Sequence, residues 1–198
     1  MQQRSVIKFF RESEAYGEFS NFWRLTEPLP FNGVMCATTE HAYQMQKFVY
    51  DGCPIANAAY AHLIATANTP YSAKILAGQK CIGRSLWQRK LFEKIEAHKN
   101  KGAAIDPDWD ARRDDVMHDV LRRKFLLDKR AQSVLLSTGD ALLLENSKYD
   151  AYWGAGPNGD GKNMLGQLLM RVRDEISAGN LLFGVSGITQ DAAGVWGK

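Results

Sequence analysis

Polar and apolar positions follow a helical period in several segments of the chain and a strand-like pattern in only two. The clearest helical period lies in "DWDARRDDVMHDVLRRKFLLD", which follows Asp106 and Pro107, a typical N-terminal helix signal. "NMLGQLLMRVRDEI" predicts a final helix with its leucines on one stripe. Shorter helices are predicted over residues 39–50 and 69–78 and in "RAQSVLLST".

Strand-like segments are short and lie between the helices. "SVIKFF" (residues 5–10) and "DALLLENS" predict strands, whereas "EPLPFNG" and the glycine-rich "YDAYWGAGPNGDGKN" predict loops. A predominance of helix with scattered strands predicts an α+β class, and 198 residues suit a single compact domain. We expect this predominantly helical domain, with a few short strands, to occupy residues 5–178, followed by a glycine-rich tail over 179–198.

Composition adds several exclusions. No apolar run approaches the roughly 18 residues that span a bilayer, and "MQQRSVIKFFRE" lacks the apolar core of a signal peptide. We therefore expect a soluble cytoplasmic protein without a membrane partner. Three cysteines without a C-x-x-C pair argue against disulfides and zinc, and no second histidine follows His41 at metal spacing. We accordingly expect neither a metal ion nor a cofactor.

The helix predicted over residues 39–50 has a polar face, and the function of this face depends on whether it is exposed to solvent or buried. At 100° per residue, Glu40, Gln44 and Lys47 fall within about 60° of one another, and Tyr43 and Phe48 flank them. One interpretation is a solvated face of an ordinary amphipathic helix. The other is the wall of a pocket, in which burial raises the pKa of a carboxyl group and lowers that of an amine. Glu40 could then transfer a proton, and Lys47 could act as a nucleophile or stabilise charge, but the two groups also suit a simple ion pair.

Two further features leave alternatives open. The glycine-rich loop is either a structural turn or a ligand-binding segment, in which free amides at the helix start would attract phosphate. Asp150 and Trp153 at its edge suit a ribose and a base. Arg113 falls within the apolar stripe of its helix, so it either pairs with a core carboxylate or points toward an anionic ligand.

The charge distribution is also open to two interpretations. The net charge is only +3, but arginines and lysines cluster between residues 112 and 130. A solvated helix face explains such a cluster, and a phosphate-bearing partner is the alternative.

Three segments together resemble the YbiA-like family, also called the NADAR domain family. They are "EFSNF" with "TEHAYQMQKF", "DWDARRDDVMHDVLRRKF" and "LLLENSKYDAYWGAGPNGDGKNMLGQLLMRVR". The similarity extends from about Ile7 to Ile176. It implies an N-glycosidase that cleaves the bond between ribose C1 and a base or amine nitrogen.

The resemblance also implies site residues. It assigns catalytic roles to Glu40, Lys47 and Asp150, because these positions match the family's polar signature. The substrate-binding positions that it implies are Asn21, Phe22, Gln44, Trp109, Arg113, Trp153, Gly154, Gly156 and Asn163.

Two substrate classes accompany this resemblance. One is ADP-ribose attached to guanine in DNA, which the basic segment over residues 112–130 favours, and the other is the phosphoribosylated intermediates of riboflavin biosynthesis. The expected partner is therefore ADP-ribosylated DNA or an ADP-ribose-like small molecule, with no protein partner inferred. A binding module that recognises ADP-ribose or NAD without cleaving it is the alternative from another functional class.

Overall fold

The computed structural model describes residues 4–78 and 85–180. Four β-strands lie in these ranges: β1 (Val6–Phe9), β2 (Leu29–Phe31), β3 (Val34–Cys36) and β4 (Leu142–Glu145). The same ranges contain seven α-helices: α1 (Thr39–Met45), α2 (Ala56–Ala65), α3 (Pro70–Leu76), α4 (Leu86–Lys99), α5 (Trp109–Leu127), α6 (Lys129–Ser137) and α7 (Met164–Ser177). The predicted α+β class with a predominance of helix is confirmed.

Contacts along the chain divide it into two units. One comprises the residues up to Glu27 together with those from Met117 onward, and the other comprises Pro28–Val116. The division falls within α5, so the first two turns of this helix belong to the second unit. Most of the predicted tail, residues 181–198, lies outside the described residues, as does Cys81.

The unit formed by Pro28–Val116 combines a β-hairpin with four helices. β2 and β3 pair antiparallel, and Asn32 and Gly33 connect them with φ of 45° and 75°. Both φ values are positive, as a tight hairpin turn of this type requires, and Asn-Gly is the favoured pair for it. α1 packs against the hairpin, α2 and α3. The core of this unit includes the buried side chains of Phe48, Tyr60 and Ile64.

The other unit is built on a parallel strand pair. β1 and β4 pair with Val6 opposite Leu142 and Phe9 opposite Glu145, and α7 packs on β4. The buried side chains of Phe19, Phe125 and Leu169 fill its core. Across the described ranges, no helix is both long and apolar enough to cross a membrane.

Several predicted elements needed correction. "EPLPFNG" is not a loop, because its Leu29–Phe31 segment forms β2 and its Asn-Gly pair turns the chain into β3. The helix predicted over 39–50 ends at Met45 and continues as a 3₁₀ turn over Gln46–Phe48. α2 had not been predicted.

The apolar stripe predicted for α5 at Trp109, Val116 and Val120 is buried only at Val120. Trp109 and Val116 are only half-buried, whereas the buried face consists of Met117, Val120, Leu121, Lys124 and Phe125. The core-facing positions therefore start at the third turn of the helix, and Arg113 lies before them. By contrast, the predicted stripe of α7 is confirmed at Leu165, Leu168, Leu169 and Val172.

Candidate functional site

α1 is buried on all sides, although its sequence is polar. Thr38 caps the helix by accepting a hydrogen bond from the backbone amide of His41, and all seven residues from Thr39 to Met45 are buried. His41 is held at both ring nitrogens, by the Thr38 hydroxyl at 2.8 Å and by the carbonyl oxygen of Ala67 at 2.9 Å. The interpretation of a solvated Glu-Gln-Lys face is therefore wrong.

Glu40 and Gln44 form a buried polar pair on this helix. Nε2 of Gln44 donates to Oε1 of Glu40 at 2.7 Å. Gln44 is 3% exposed and Glu40 is 4% exposed. Within the described ranges, Oε1 of Gln44 is buried and accepts no hydrogen bond. A buried acceptor without a donor costs about 1–3 kcal/mol, so this oxygen is suited to receive a hydrogen bond from a ligand.

Lys47 lies to one side of two aromatic rings that contact each other. Its Nζ is 5.9 Å from the ring centroid of Tyr43 and 5.9 Å from that of Trp109, and the two rings are 5.1 Å apart. Burial lowers the pKa of Lys47 to about 8, the negative charge of Glu40 opposes this shift, and the positive charge of Lys74 adds to it. A substantial fraction of the amine is therefore neutral in mildly alkaline solution.

A network that the sequence did not predict holds the segment bearing Lys47 beside Trp109. The backbone amide of Asp106 donates to the carbonyl oxygen of Lys47 at 2.7 Å, and Oδ2 of Asp106 pairs with Nε of Arg112 at 2.7 Å. Arg112 also donates to the carbonyl oxygen of Val49 at 3.2 Å. Asp106 had been interpreted only as part of a helix-start signal, and in the structure it is also a positioning residue.

Arg113 pairs with Asp110, one turn earlier on α5. Its Nη1 is 2.9 Å from Oδ1 of Asp110, whose side chain is exposed. A carboxylate is thus its partner, as one alternative expected, but this carboxylate lies at the surface and not in the core. Such pairs with an exposed partner contribute little stability, and a role of Arg113 toward an anionic ligand stays a prediction.

The rest of the basic segment is also paired within the protein. Arg122 lies 3.2 Å from Glu175, Arg123 lies 3.1 Å from Asp119, and Arg130 lies 3.0 Å from Glu18. Carboxylates thus partner the arginines of this segment, as expected for a solvated helix face, and a phosphate-bearing partner stays a prediction.

The glycine-rich loop is held together by its own backbone. Oδ1 of Asp150 accepts hydrogen bonds from the amides of Tyr152 and Trp153, at 2.9 and 2.8 Å. The amides of residues 155, 156, 159 and 161–163 donate to backbone carbonyls. At the start of α7, the amides of Met164 and Leu165 donate to the carbonyls of Tyr152 and Trp153. These amides are therefore not free to hold a phosphate.

Close packing explains Gly154, a positive φ explains Gly156, and hydrogen bonds to β4 explain Asn163 at the end of this loop. A Cβ on Gly154 would lie 2.9 Å from the carbonyl oxygen of Glu145, and Gly156 has a φ of +70°. Asn163 donates to the carbonyl oxygen of Leu143 at 2.8 Å and accepts from the amide of Glu145 at 2.9 Å. These contacts fasten the loop and the start of α7 to β4.

Asn21 and Phe22 lie in a turn next to a buried lysine that the sequence analysis missed. Nδ2 of Asn21 is 3.5 Å from Sδ of Met117, and the amide of Phe22 donates to Oγ of Ser20. Lys124 donates to the carbonyl oxygen of Ser20 at 2.8 Å and is fully buried. Burial lowers its pKa to about 7, against the opposing charges of Asp128 and Glu18. The signal for it was a lysine among the apolar positions of α5.

Within the unit Pro28–Val116, the structure thus brings together Glu40, Gln44, Lys47 and Trp109, with Arg113 one turn beyond Trp109. Within the other unit, one loop carries the remaining predicted positions Asp150, Trp153, Gly154, Gly156 and Asn163. Their roles toward a substrate, and those of Asn21 and Phe22, stay predictions.

The protein thus combines a helical α+β fold with a buried carboxyl group, an amide and an amine, at Glu40, Gln44 and Lys47. Comparison with known proteins assigns this combination to a family. The chain belongs to the NADAR domain family, whose model matches residues 8–177. It is 30% identical to the E. coli protein YbiA in its NMR structure, with a TM-score of 0.67. That match covers 91% of this chain and 90% of the other.

Curated relatives carry two kinds of name. N-glycosidase YbiA of Shigella boydii serotype 4 (strain Sb227) is 31% identical over 179 residues, which are 89% of this chain and 92% of the relative. N-glycosidase Npun_R5314 of Nostoc punctiforme is 37% identical over 171 residues, 86% of this chain and 92% of that protein. Riboflavin biosynthesis protein PYRR of Zea mays is 31% identical over 177 residues, which are 88% of this chain but only 26% of that protein. N-glycosidase is thus the activity named among the family members that match at full length.

Proposed function

We propose that this chain is an N-glycosidase that removes ADP-ribose from ADP-ribosylated guanine in DNA. The observation that carries the glycosidase part of the proposal is the placement of Lys47 beside two aromatic rings and two turns from the buried Glu40, where burial lowers the pKa of the amine. A binding module needs neither a neutral amine nor a buried carboxyl group, whereas the cleavage proposed here uses both. The names of the full-length relatives support the same reaction class. The choice of ADP-ribosylated guanine rests on the resemblance to the NADAR domain family.

In the proposed reaction, neutral Lys47 attacks C1 of the ribose, and the carboxylate of Glu40 passes a proton that Nζ then loses to the departing base nitrogen. The bond from Nζ to C1 forms, and the bond from C1 to the base breaks with its electron pair on the base. The bond from C1 to the ring oxygen then breaks, and that oxygen takes the remaining proton of Nζ. The resulting imine between C1 and Lys47 is hydrolysed by water, which releases the sugar and the amine. No oxidant or reductant is consumed.

The neighbouring groups support these steps. Oε1 of Gln44, which lacks a donor within the described residues, accepts a hydrogen bond from a sugar hydroxyl. The rings of Tyr43 and Trp109 limit the access of water to the amine and thereby keep its pKa low. The pairing of Asp106 with Arg112 keeps the backbone at Lys47 in place.

Borohydride trapping tests the role of Lys47. Reduction during turnover should leave a stable sugar adduct on Lys47, identified by mass spectrometry of its peptide. Lys47→Arg should lose both the adduct and turnover, because arginine keeps the charge but is not nucleophilic at this pH. The exposed Lys148→Arg serves as the control and should keep both. Absence of an adduct together with full activity of Lys47→Ala would remove the nucleophile from the proposal.

A second candidate function is cleavage of phosphoribosylated intermediates of riboflavin biosynthesis. The similarity to the riboflavin biosynthesis protein of Zea mays favours it. A side-by-side assay on ADP-ribosylated guanine DNA and on these intermediates separates the two. Glu40→Gln should lower turnover of the true substrate by about 10²–10⁴-fold while binding stays measurable. Binding of ADP-ribose without release of any base by the wild-type protein would instead identify a binding module.

A further inference from the structure

α4 exposes most of its surface, including its apolar side chains. Within the helix only Gln88 and Ile95 are buried, whereas Leu86, Trp87 and Phe92 are exposed. The three side chains point in different directions around the helix, so they form no single apolar patch, and only Trp87 lies within the arc that also bears Lys90 and Lys94.

The charges on α4 are divided between its two sides. Trp87, Lys90 and Lys94 follow one another at i, i+3 and i+7 and fall within about 60° around the helix axis. Glu96 projects from the opposite side of the helix, and Glu93 borders the cationic side, about 60° from Lys90. The side bearing Trp87, Lys90 and Lys94 is therefore mainly cationic and aromatic, with one carboxylate at its edge.

The neighbouring helix α3 extends this surface. Tyr71 of α3 and Trp87 lie with ring centroids 6.2 Å apart at 63°, and they are 41% and 46% exposed. Lys74 lies one turn after Tyr71, on the same side of α3. Two exposed rings beside cations match the chemistry of nucleic-acid strands, whose bases stack on aromatic side chains while lysines contact the phosphates.

One cation of this surface acts electrostatically on the candidate site. The charge of Lys74 is one of the causes of the lowered pKa of Lys47, so the two amines lie within electrostatic range of each other. On α3 and α4 themselves, Lys74 lies one turn after Tyr71, and the ring of Tyr71 contacts that of Trp87. A substrate with its reacting ribose near Lys47 could extend along this path.

We infer that the α3–α4 track, formed by Tyr71, Lys74, Trp87, Lys90 and Lys94, binds a single strand of DNA next to the modified nucleotide. The inference rests on the proposed function and specifies its substrate as a nucleotide within a strand. Exposed rings favour a single strand over a duplex, because stacked and paired bases cannot reach them.

Charge reversal tests the track. Lys90→Glu with Lys94→Glu should weaken binding of a short fluorescein-labelled oligodeoxythymidine by about tenfold or more at low salt, measured by fluorescence anisotropy. Arg89→Glu with Lys99→Glu, on the opposite half of α4, makes the same change in net charge and is the matched control. Equal weakening in both double variants would overturn the inference, because it would show a response to net charge alone.

Removal of the ring tests the stacking. Trp87→Ala should weaken oligonucleotide binding by roughly five- to hundredfold, whereas Leu86→Ala, which removes a more exposed apolar side chain, should leave it unchanged. Both positions are at the surface, so circular dichroism should show folded variants. In the wild-type protein, strand binding should also quench the tryptophan fluorescence, and the Trp87→Ala variant should lose this quenching.

Assays on two substrates distinguish failure of this inference from failure of the proposed function. The Lys90/Lys94 double variant should cleave a small phosphoribosylated substrate at the wild-type rate but act poorly on ADP-ribosylated single-stranded DNA. If the wild-type protein cleaves the small substrate without binding the oligonucleotide, the track is refuted and the glycosidase stands. If it binds the oligonucleotide and cleaves neither substrate, the glycosidase is refuted. Binding of anionic vesicles in place of the oligonucleotide, lost with the same substitutions, would overturn the choice of partner.

Discussion

Lys47 is subject to opposing influences that its neighbours control separately. Burial beside Tyr43 and Trp109 disfavours the ammonium form, and the carboxylate of Glu40 favours it, with burial the larger effect. The like charge of Lys74 acts in the same direction as burial. The reactivity of this amine is therefore adjustable from a position that need not contact the substrate.

The dependence of turnover on pH follows from this arrangement. If neutral Lys47 is the nucleophile, kcat/KM on a small substrate should rise as the pH increases through about 8. Lys74→Ala removes a positive charge that lowers the pKa of Lys47, so the rise should move to higher pH. Lys74→Arg keeps the charge and should leave the profile in place. Identical profiles for the alanine and arginine variants would contradict the electrostatic role of Lys74.

At the scale of single residues, the sequence indicated which side chains share a helix face but not whether that face is buried. Helical spacing placed Glu40, Gln44 and Lys47 on one face, but the same spacing fits a solvated face. The burial of that face depends on α2, α3 and the hairpin, which a local pattern does not include. Lys124 was missed for a related reason, because spacing alone does not distinguish a buried lysine from one that reaches the surface.

The loop before α7 is an element whose shape depends on close backbone contacts. A Cβ on Gly161 would overlap the carbonyl oxygen of Gly154 and the backbone of Ala155, whereas a Cβ on Gly159 meets nothing nearby. Gly159 instead has a φ of +81°, which L-residues adopt only with strain. Two glycines in the same loop are thus required for different reasons.

Alanine substitutions should separate these reasons. Gly161→Ala should lower the free energy of unfolding by at least about 2 kcal/mol, because the added methyl group displaces backbone. Gly159→Ala should lower it by only roughly 1 kcal/mol, the strain of a left-handed residue. Urea denaturation of both variants measures the difference. Equal losses would indicate that the packing of the loop does not constrain Gly161.

Elements with a strong period or a clear end signal were predicted well from the sequence. α3, α5 and α7 have a capping threonine, an acidic start or a leucine stripe, and each lies close to its predicted position. β2 and β3 were missed because each has only three residues, and the Asn-Gly signal between them was taken as part of a loop. The glycine-rich loop was located correctly, but its amides are used internally, which depends on three-dimensional closure.

For the whole molecule, a fully buried lysine makes stability depend on pH. Lys124 has a pKa of about 7 when folded and an ordinary value of 10.5, so between these values the unfolded chain binds the additional proton. The free energy of unfolding should therefore increase as the pH rises from about 7 toward 10. Lys47 contributes in the same direction above about pH 8.

Lys124→Met should flatten this dependence, because methionine fills the space without a titrating amine. The measurement is the midpoint of chemical denaturation at several pH values between 7 and 10. Lys129→Met removes an exposed amine from the adjacent helix and should keep the wild-type slope. Equal slopes for the two variants would show that Lys124 holds its proton in the folded protein.

The distribution of charge over the molecule matters more than its total. The net charge of +3 gives no indication of a partner, and the densest basic segment, on α5, is balanced by carboxylates. The cations at Lys90 and Lys94 are fewer but lie beside exposed rings. Pairing in three dimensions, which composition does not reveal, decides which cations are available to a ligand.

The pairing of Val6 with Leu142 has a consequence for folding during synthesis of the protein. On the ribosome, β1 emerges well before β4 and can pair with it only after the residues between them have been translated. Until then its edge is open to other nascent polypeptides and to chaperones. The segment Pro28–Val116, by contrast, is continuous and can begin to organise while synthesis proceeds.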